Sequence, residues 1–248
     1  RLNIQEFNEP QIGLSRLEQG SLVHKILENF FNAIPSSSDL KKLPEDKLQE
    51  EINKHINSAI QLISQSNFKS IEKERLIKII NEYIKLEKNR EYFQVIKTES
   101  ESKVDVNGLQ FSTRIDRMDQ MKDGTNLIID YKTGQNVNLS QLTGDPLDQA
   151  QLPIYAITNP VAGIAFATVN SKDCQFKAIT KNKFDLPLSQ QAIKRMPEWN
   201  EQVSEWELEL NSASQKFQEG VAEVLPTTNA CDYCDYDLLC RFEKSSNN

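Results

Sequence analysis

The chain has 248 residues, 38% of them hydrophobic, which suffices for one large domain or two small ones with a real core and excludes a disordered tail. A formal net charge of −7 and a pI of about 5.1 count against a non-specific nucleic-acid coat. They leave room for an enzyme that gathers carboxylates around a hard cation and meets an anionic substrate through a local basic strip. No apolar run approaches the roughly 18–20 residues of a bilayer span, no leader pattern is visible, and four cysteines are too few for a disulfide scaffold. The expectation is a cytoplasmic protein with no membrane contact. Because the first residue is Arg1 and not Met, the chain reads as a piece of something longer.

Residues 15–34 have the spacing of an amphipathic helix, with Val23, Ile26, Leu27, Phe30 and Ile34 on one face and Pro35 as its stop. Residues 36–44 read as a loop. Two helices follow, one marked by Leu48, Ile52, Ile56, Ile60 and Ile63, the other by Ile71, Leu76, Ile79, Ile80, Tyr83 and Ile84. His55 has no motif around it and reads as a surface residue. The texture then changes. Asn107-Gly108 is a type I′ turn signal and Asp123-Gly124 turns the chain again, so three strands run as a meander between 98 and 132. A helix over 146–158, strands over 161–169 and 174–180, and one long polar helix over 188–220 carrying Trp199, Trp206 and Phe217 complete the pattern. The remaining segment, 226–242, is short, turn-rich and holds three cysteines.

The meander carries the chemistry. Side chains alternate faces along a strand, so Gln110, Ser112, Arg114 and Asp116 share one face of the second strand, and Asp130 and Lys132 share one face of the third. A turn at 123–124 would let Asp116 and Asp130 converge with Lys132 beside them. Mg²⁺ takes a few carboxylate oxygens plus waters, and a lysine next to the cation can orient a nucleophile or stabilise developing negative charge. Paired acids beside a lysine therefore suit phosphodiester hydrolysis. An arbitrary Asp-X-Lys on a strand is most often an exposed salt-bridged edge. Here Asp130 ends the apolar run Leu127-Ile128-Ile129, and Thr133-Gly134 follows Lys132.

These residues carry a resemblance. Ile128-Ile129-Asp130-Tyr131-Lys132-Thr133-Gly134 and Arg114-Ile115-Asp116-Arg117-Met118-Asp119 resemble two motifs of RecB-type nucleases in the PD-(D/E)XK superfamily, with Thr113 where those proteins commonly have Gly. Gly20-Ser21-Leu22-Val23-His24 and Gln151-Leu152-Pro153-Ile154-Tyr155 match two further motifs, in the same order. The likeness covers about residues 13–242 and is similar to the AddB nuclease domain and to a group of predicted bacterial DNA repair exonucleases. It implies an α/β fold with a restriction-endonuclease-like core: a mixed central β-sheet flanked by helices, with residues 36–90 as a helical insertion. It implies His24, Asp116 and Asp130 as ligands of Mg²⁺ or Mn²⁺, the Tyr131 carbonyl as a further ligand, and Lys132 as the catalytic lysine. Gln151 and Tyr155 would line the site and position DNA or the lysine, and Glu99 would be an accessory residue. On its own, His24 could equally be a helix-edge or surface histidine, and Tyr155 a core tyrosine.

The spacing Cys231-X2-Cys234-X5-Cys240 resembles three ligands of a four-iron four-sulfur (4Fe–4S) cluster in the same nucleases; three thiolates also suit zinc. The fourth ligand of those relatives lies upstream of the Gly-X-X-X-His helix, and no cysteine lies between Arg1 and His24. Cys174 reads as a structural thiol in a strand. The expectation is an incomplete cluster here, with a poorly ordered tail or one that holds another metal weakly. The functional expectation is a metal-dependent deoxyribonuclease, an exonuclease acting on DNA ends or single strands in repair, linked to a helicase. The alternatives are a non-catalytic DNA-end-binding or assembly module of the same fold and, further off, an iron–sulfur or zinc interaction domain.

Overall fold

The computed structural model describes residues 13–63, 66–144, 147–221 and 223–224, and the single positions 226, 231, 234 and 240. Among them run α1 (Arg16–Ala33), α2 (Ser37–Lys42), α3 (Glu45–Ile60), α4 (Lys69–Lys88), β1 (Gln94–Val106), β2 (Leu109–Gln120), β3 (Asn126–Lys132), α5 (Ser140–Thr143), α6 (Gln151–Thr158), β4 (Gly163–Val169), β5 (Cys174–Thr180), α7 (Gln190–Arg195) and α8 (Trp199–Gln218).

The strands form one five-stranded sheet in sequence order, β1-β2-β3-β4-β5. All neighbours are antiparallel except β3 and β4. That parallel pair needs a crossover, which α5 and α6 supply. Its two strands are buried on both faces, as parallel strands under helices require. Leu127, Ile129 and Tyr131 of β3 and Ala165, Ala167 and Val169 of β4 pack toward α1, α3 and α4. Ile128, Ile164 and Phe166 pack the other way, against α6 and α8 with Leu152, Tyr155, Trp199 and Trp206. The sheet is thus mixed and flanked by helices on both faces.

The local reasons are readable. Ser15 caps α1 in a capping box with Glu18, so two otherwise unpaired N–H groups find acceptors at the helix start. Asn107 and Gly108 take φ of +49° and +84° in the turn between β1 and β2. Only residues tolerant of the left-handed region can turn the chain there in two steps.

Several sequence expectations shift. Residues 37–42 are helical where a loop was expected, because the Ser36 hydroxyl accepts from the Asp39 N–H and starts a turn. β1 begins at Gln94, four residues before 98, held by a bridge to Ser36. The helix expected over 146–158 begins at Gln151, and the Leu147 N–H donates instead to Glu209 of α8; Pro146 lies outside the described residues. The single helix expected over 188–220 is two, α7 and α8, since Pro197 pushes Met196 out of the helical region, to ψ 127°. Phe217 is exposed near its end. His55 is buried, not on the surface: it packs edge-on against Phe30 with Nε2 3.2 Å from Glu51, and burial pulls its pKa down.

Candidate active site

The site forms where two strands part. β2 and β3 pair only from Gln120–Asn126 to Arg117–Ile129. Past that point the Asp116 carboxylate, and not a backbone carbonyl, accepts the Tyr131 N–H at 2.8 Å. Asp116 is thereby fixed at the mouth of the opening and largely buried.

Directly opposite Asp116 on β1 stands Glu99, by the register Thr98–Arg117 and Ser100–Ile115. Two carboxylates at opposed positions repel. Glu99 also holds φ at +44°, an unfavourable conformation for a residue with a side chain. Between them reaches His24 from α1, its Nδ1 3.4 Å from Asp116 Oδ2 and 3.6 Å from Glu99 Oε1. Its Nε2 stands 3.1 Å from the Tyr131 carbonyl oxygen. Burial pulls the His24 pKa down. The hydrogen bonds and charges of Asp116 and Glu99 outweigh it and raise the imidazole to about 10. Gly20, one turn earlier on α1, faces Thr133, whose Oγ1 would lie 3.4 Å from an added Cβ. The helix can therefore lie close to the chain leaving β3.

Asp130 and Lys132 complete the group from β3. Lys132 Nζ is 2.9 Å from Asp130 Oδ2 and 5.3 Å from the Phe166 ring centre. Burial pushes the Asp130 carboxyl up to about 6, the nearby Asp116 charge adds to the rise, and Lys132 pulls against it. Arg114, on β2, pairs its Nε with Glu99 Oε2 at 2.5 Å.

The donor set suits a hard divalent cation. One ligand atom each from His24, Glu99 and Asp116 lies within 4.8 Å of the others, the one such group of His, Cys, Asp and Glu side chains among the described residues. Opposed carboxylates with an imidazole between them have the chemistry of a cation site, and the His24 Nε2 contact with Tyr131 would orient the ring.

Of the residues singled out in the sequence, His24, Asp116, Asp130, Tyr131 and Lys132 come together. Gln151 and Tyr155 lie elsewhere in the same neighbourhood. The Tyr155 hydroxyl donates to the Arg114 carbonyl at 2.6 Å, and Gln151 Nε2 reaches the same carbonyl at 3.3 Å. They hold β2 beside the site, at the residue two before Asp116. Glu99, expected only as an accessory, belongs to the central group. Its place was countable: Val106 opposes Leu109 across the Asn107-Gly108 turn, and seven steps back along each strand bring 99 opposite 116.

Cys231 is half-buried and Cys234 and Cys240 are exposed. The expected disorder or weak metal binding of segment 226–242 falls mostly on positions outside the described residues. Cys174 sits in β5 as expected, half-buried, its thiol raised by burial.

A model of the PD-(D/E)XK nuclease superfamily matches residues 1–241. The chain belongs to the PD-(D/E)XK nuclease superfamily. Asp130-Tyr131-Lys132 fits the second half of the motif that names it. The five-stranded mixed sheet between helical layers is the restriction-endonuclease-like architecture expected of such a member. Superfamily membership suggests metal-dependent nuclease activity, since these proteins are usually hydrolytic nucleases that use divalent metals. No curated protein matches the sequence. Among solved structures it is similar to SSO0001, at 15% identity over 90% of this chain and 96% of that one, with a TM-score of 0.35. No helix among the described residues is long and apolar enough to cross a membrane.

Proposed function

We propose that this PD-(D/E)XK nuclease superfamily member is a Mg²⁺- or Mn²⁺-dependent deoxyribonuclease. In this reading it acts as a RecB-type exonuclease on DNA ends or single strands during repair, in the cytoplasm and beside a helicase domain or subunit. The observation that carries the nuclease reading is the opposed Glu99–Asp116 pair around His24, set against the Asp130–Lys132 pair at the same strand opening. The sequence motifs alone support the finer assignments.

His24, Glu99 and Asp116 would hold the cation, with Asp130 and the Tyr131 carbonyl as further oxygen donors at the same opening. When bound, the cation supplies Lewis acidity toward phosphate oxygens and toward water. The protein does the rest. Asp116 is kept in place by the Tyr131 N–H, and His24 is oriented through its contact with the Tyr131 carbonyl. Lys132, poised by Asp130, donates to the attacking water or to the oxygens that gain charge. Tyr155 and Gln151 stiffen β2 two residues before Asp116. An iron–sulfur cluster at Cys231, Cys234 and Cys240 would add a structural clasp in a longer protein; it rests on spacing alone.

The test is cleavage of end-labelled single- and double-stranded DNA with Mn²⁺ or Mg²⁺, comparing the chain with Lys132→Ala. Metal-dependent cleavage abolished by the substitution bears the reading out. Metal-independent cleavage, or cleavage that survives the substitution, sinks it. DNA binding with no cleavage by either form turns the reading to the end-binding alternative.

A further inference from the structure

Arg114 combines a pinned backbone with an exposed side chain. Its carbonyl accepts from both Tyr155 and Gln151, so its Cα cannot drift. Its side chain is 59% exposed, against 9% for the Glu99 side chain it pairs with. Glu99 is fully engaged on both oxygens, Oε1 toward His24 and Oε2 toward Arg114. A divalent cation held by His24, Asp116 and Glu99 Oε1 would share the carboxylate charge that now holds the guanidinium on Oε2, and so weaken that pair. Two cations a few ångströms apart also repel.

The surroundings show where the displaced side chain would go. Arg114 lines two neighbouring cavities. One, of about 380 Å³, opens over His24, Glu99, Ser21 and Thr133. The other, of about 430 Å³, lies along the β1–β2 hairpin between Lys103, Ser102 and Ser112. Both are open and mix apolar with polar lining, with hydroxyls, an exposed lysine and a glutamate (Glu28 in one, Glu101 in the other) in each, and Arg114 is common to them. A guanidinium is well matched to a phosphate diester.

We propose that Arg114 is an exchangeable strand-positioning residue: a divalent cation taking Glu99 releases it, and the freed guanidinium binds a backbone phosphate of a nucleic-acid strand lying across the two cavities. Cation and strand are thereby loaded in order, and the empty site holds its own arginine in check. The inference rests on the metal-site part of the proposed function, and its readouts do not need cleavage.

The experiment titrates Mn²⁺ alone, followed by electron paramagnetic resonance, into the wild-type chain, Arg114→Gln and Arg114→Lys. Each is then assayed for binding of a fluorescent oligothymidylate by anisotropy, with and without Mn²⁺, over a range of salt. Without the competing guanidinium, Arg114→Gln should bind Mn²⁺ about two- to fivefold tighter, the scale of a partly exposed ion pair. With Mn²⁺ present it should bind the oligonucleotide about tenfold more weakly, and its salt dependence should fall by about one phosphate contact. Without Mn²⁺, wild type and Arg114→Gln should bind the oligonucleotide alike. Arg114→Lys keeps the charge and guards against a folding artefact: it should retain most of the oligonucleotide affinity. Unchanged or weaker Mn²⁺ binding by Arg114→Gln overturns the proposal. So does an oligonucleotide defect of the same size with and without Mn²⁺, or a wild-type chain that binds no Mn²⁺. A wild-type chain that shows the exchange yet cuts no DNA keeps this inference and removes only the nuclease reading.

Discussion

Strand β2 carries two charge clusters a few residues apart, and they are built on opposite principles. On the side of α4, Arg117 and Asp119 join Glu87 and Arg90 in a closed set of two cations and two anions, all with fully buried side chains. Arg90 donates to both acids, and Arg117 donates to both. Tyr83 adds a hydrogen bond to Glu87, and Arg117 lies 3.8 Å over the centre of the Phe31 ring. At the strand opening, Glu99, Asp116 and Asp130 are balanced by His24, Lys132 and Arg114, whose side chains reach solvent. The closed cluster is matched internally and holds the end of α4 to the sheet. The open one is matched by part-exposed groups, one of them an imidazole that can give up its proton, and so has room for an exchangeable ligand.

Breaking the open cluster at Lys132 should have the largest effect. Lys132→Ala should lower DNA cleavage by about 10³-fold while circular dichroism and thermal unfolding stay near wild type, since the lysine is part-exposed. Breaking the closed cluster should do the reverse. Asp119→Ala leaves two buried guanidinium groups facing one acid and should cost about 3–5 kcal/mol in urea unfolding, with Mn²⁺ affinity falling only as the folded fraction falls. A loss of Mn²⁺ binding in a still-folded Asp119→Ala would show that the two clusters act as one.

Glu99→Gln sharpens the contrast at the metal. It should weaken Mn²⁺ binding about tenfold or more by calorimetry, with little change in stability when no metal is present. If instead it destabilises the metal-free protein as much as Asp119→Ala does, Glu99 is structural.

The last contrast is a pH dependence with opposite signs for stability and metal binding. The His24 pKa in the folded chain is about 10 against an ordinary 6.5. Its contribution to metal-free stability is therefore complete below about pH 6.5 and lost as pH rises toward 10. A cation must displace that proton, so Mn²⁺ affinity should climb over the same window. Urea unfolding and Mn²⁺ titrations at pH 6, 7.5 and 9 check both slopes. His24→Asn should flatten them.

Much of this was legible before the structure. The meander, its turn residues and the Asp116, Asp130 and Lys132 set stand in one contiguous stretch with strong turn chemistry. Helices α3 and α4 showed through clean apolar spacing. What escaped was decided by tertiary context. His55 shares the buried face of Ile52, Ile56 and Ala59 but reads as a surface residue in sequence because no motif surrounds it. Pro197 divides α7 from α8 within a stretch whose apolar residues suggested one helix. The closed cluster was invisible as a network, although Arg117 and Asp119 stood inside a recognised motif. Their partners Glu87 and Arg90 come from the end of a distant helix, and no local pattern joins them. Gln151 and Tyr155 were found as a motif, but their shared target, a backbone carbonyl, leaves no mark in sequence.

The order in which the site's parts lie along the chain has a consequence for how it comes into being. Glu99, Asp116, Asp130 and Lys132 all belong to β1, β2 and β3, three strands joined by short turns. Such local pairings form early and cheaply. His24 lies on α1, separated from β1 by α2, α3 and α4, and reaches the carboxylates only when those helices have docked on the sheet. A folding chain therefore holds its acids together before it owns the imidazole that completes them. A cation site built on His24, Glu99 and Asp116 would therefore be complete only once α1 has docked on the sheet.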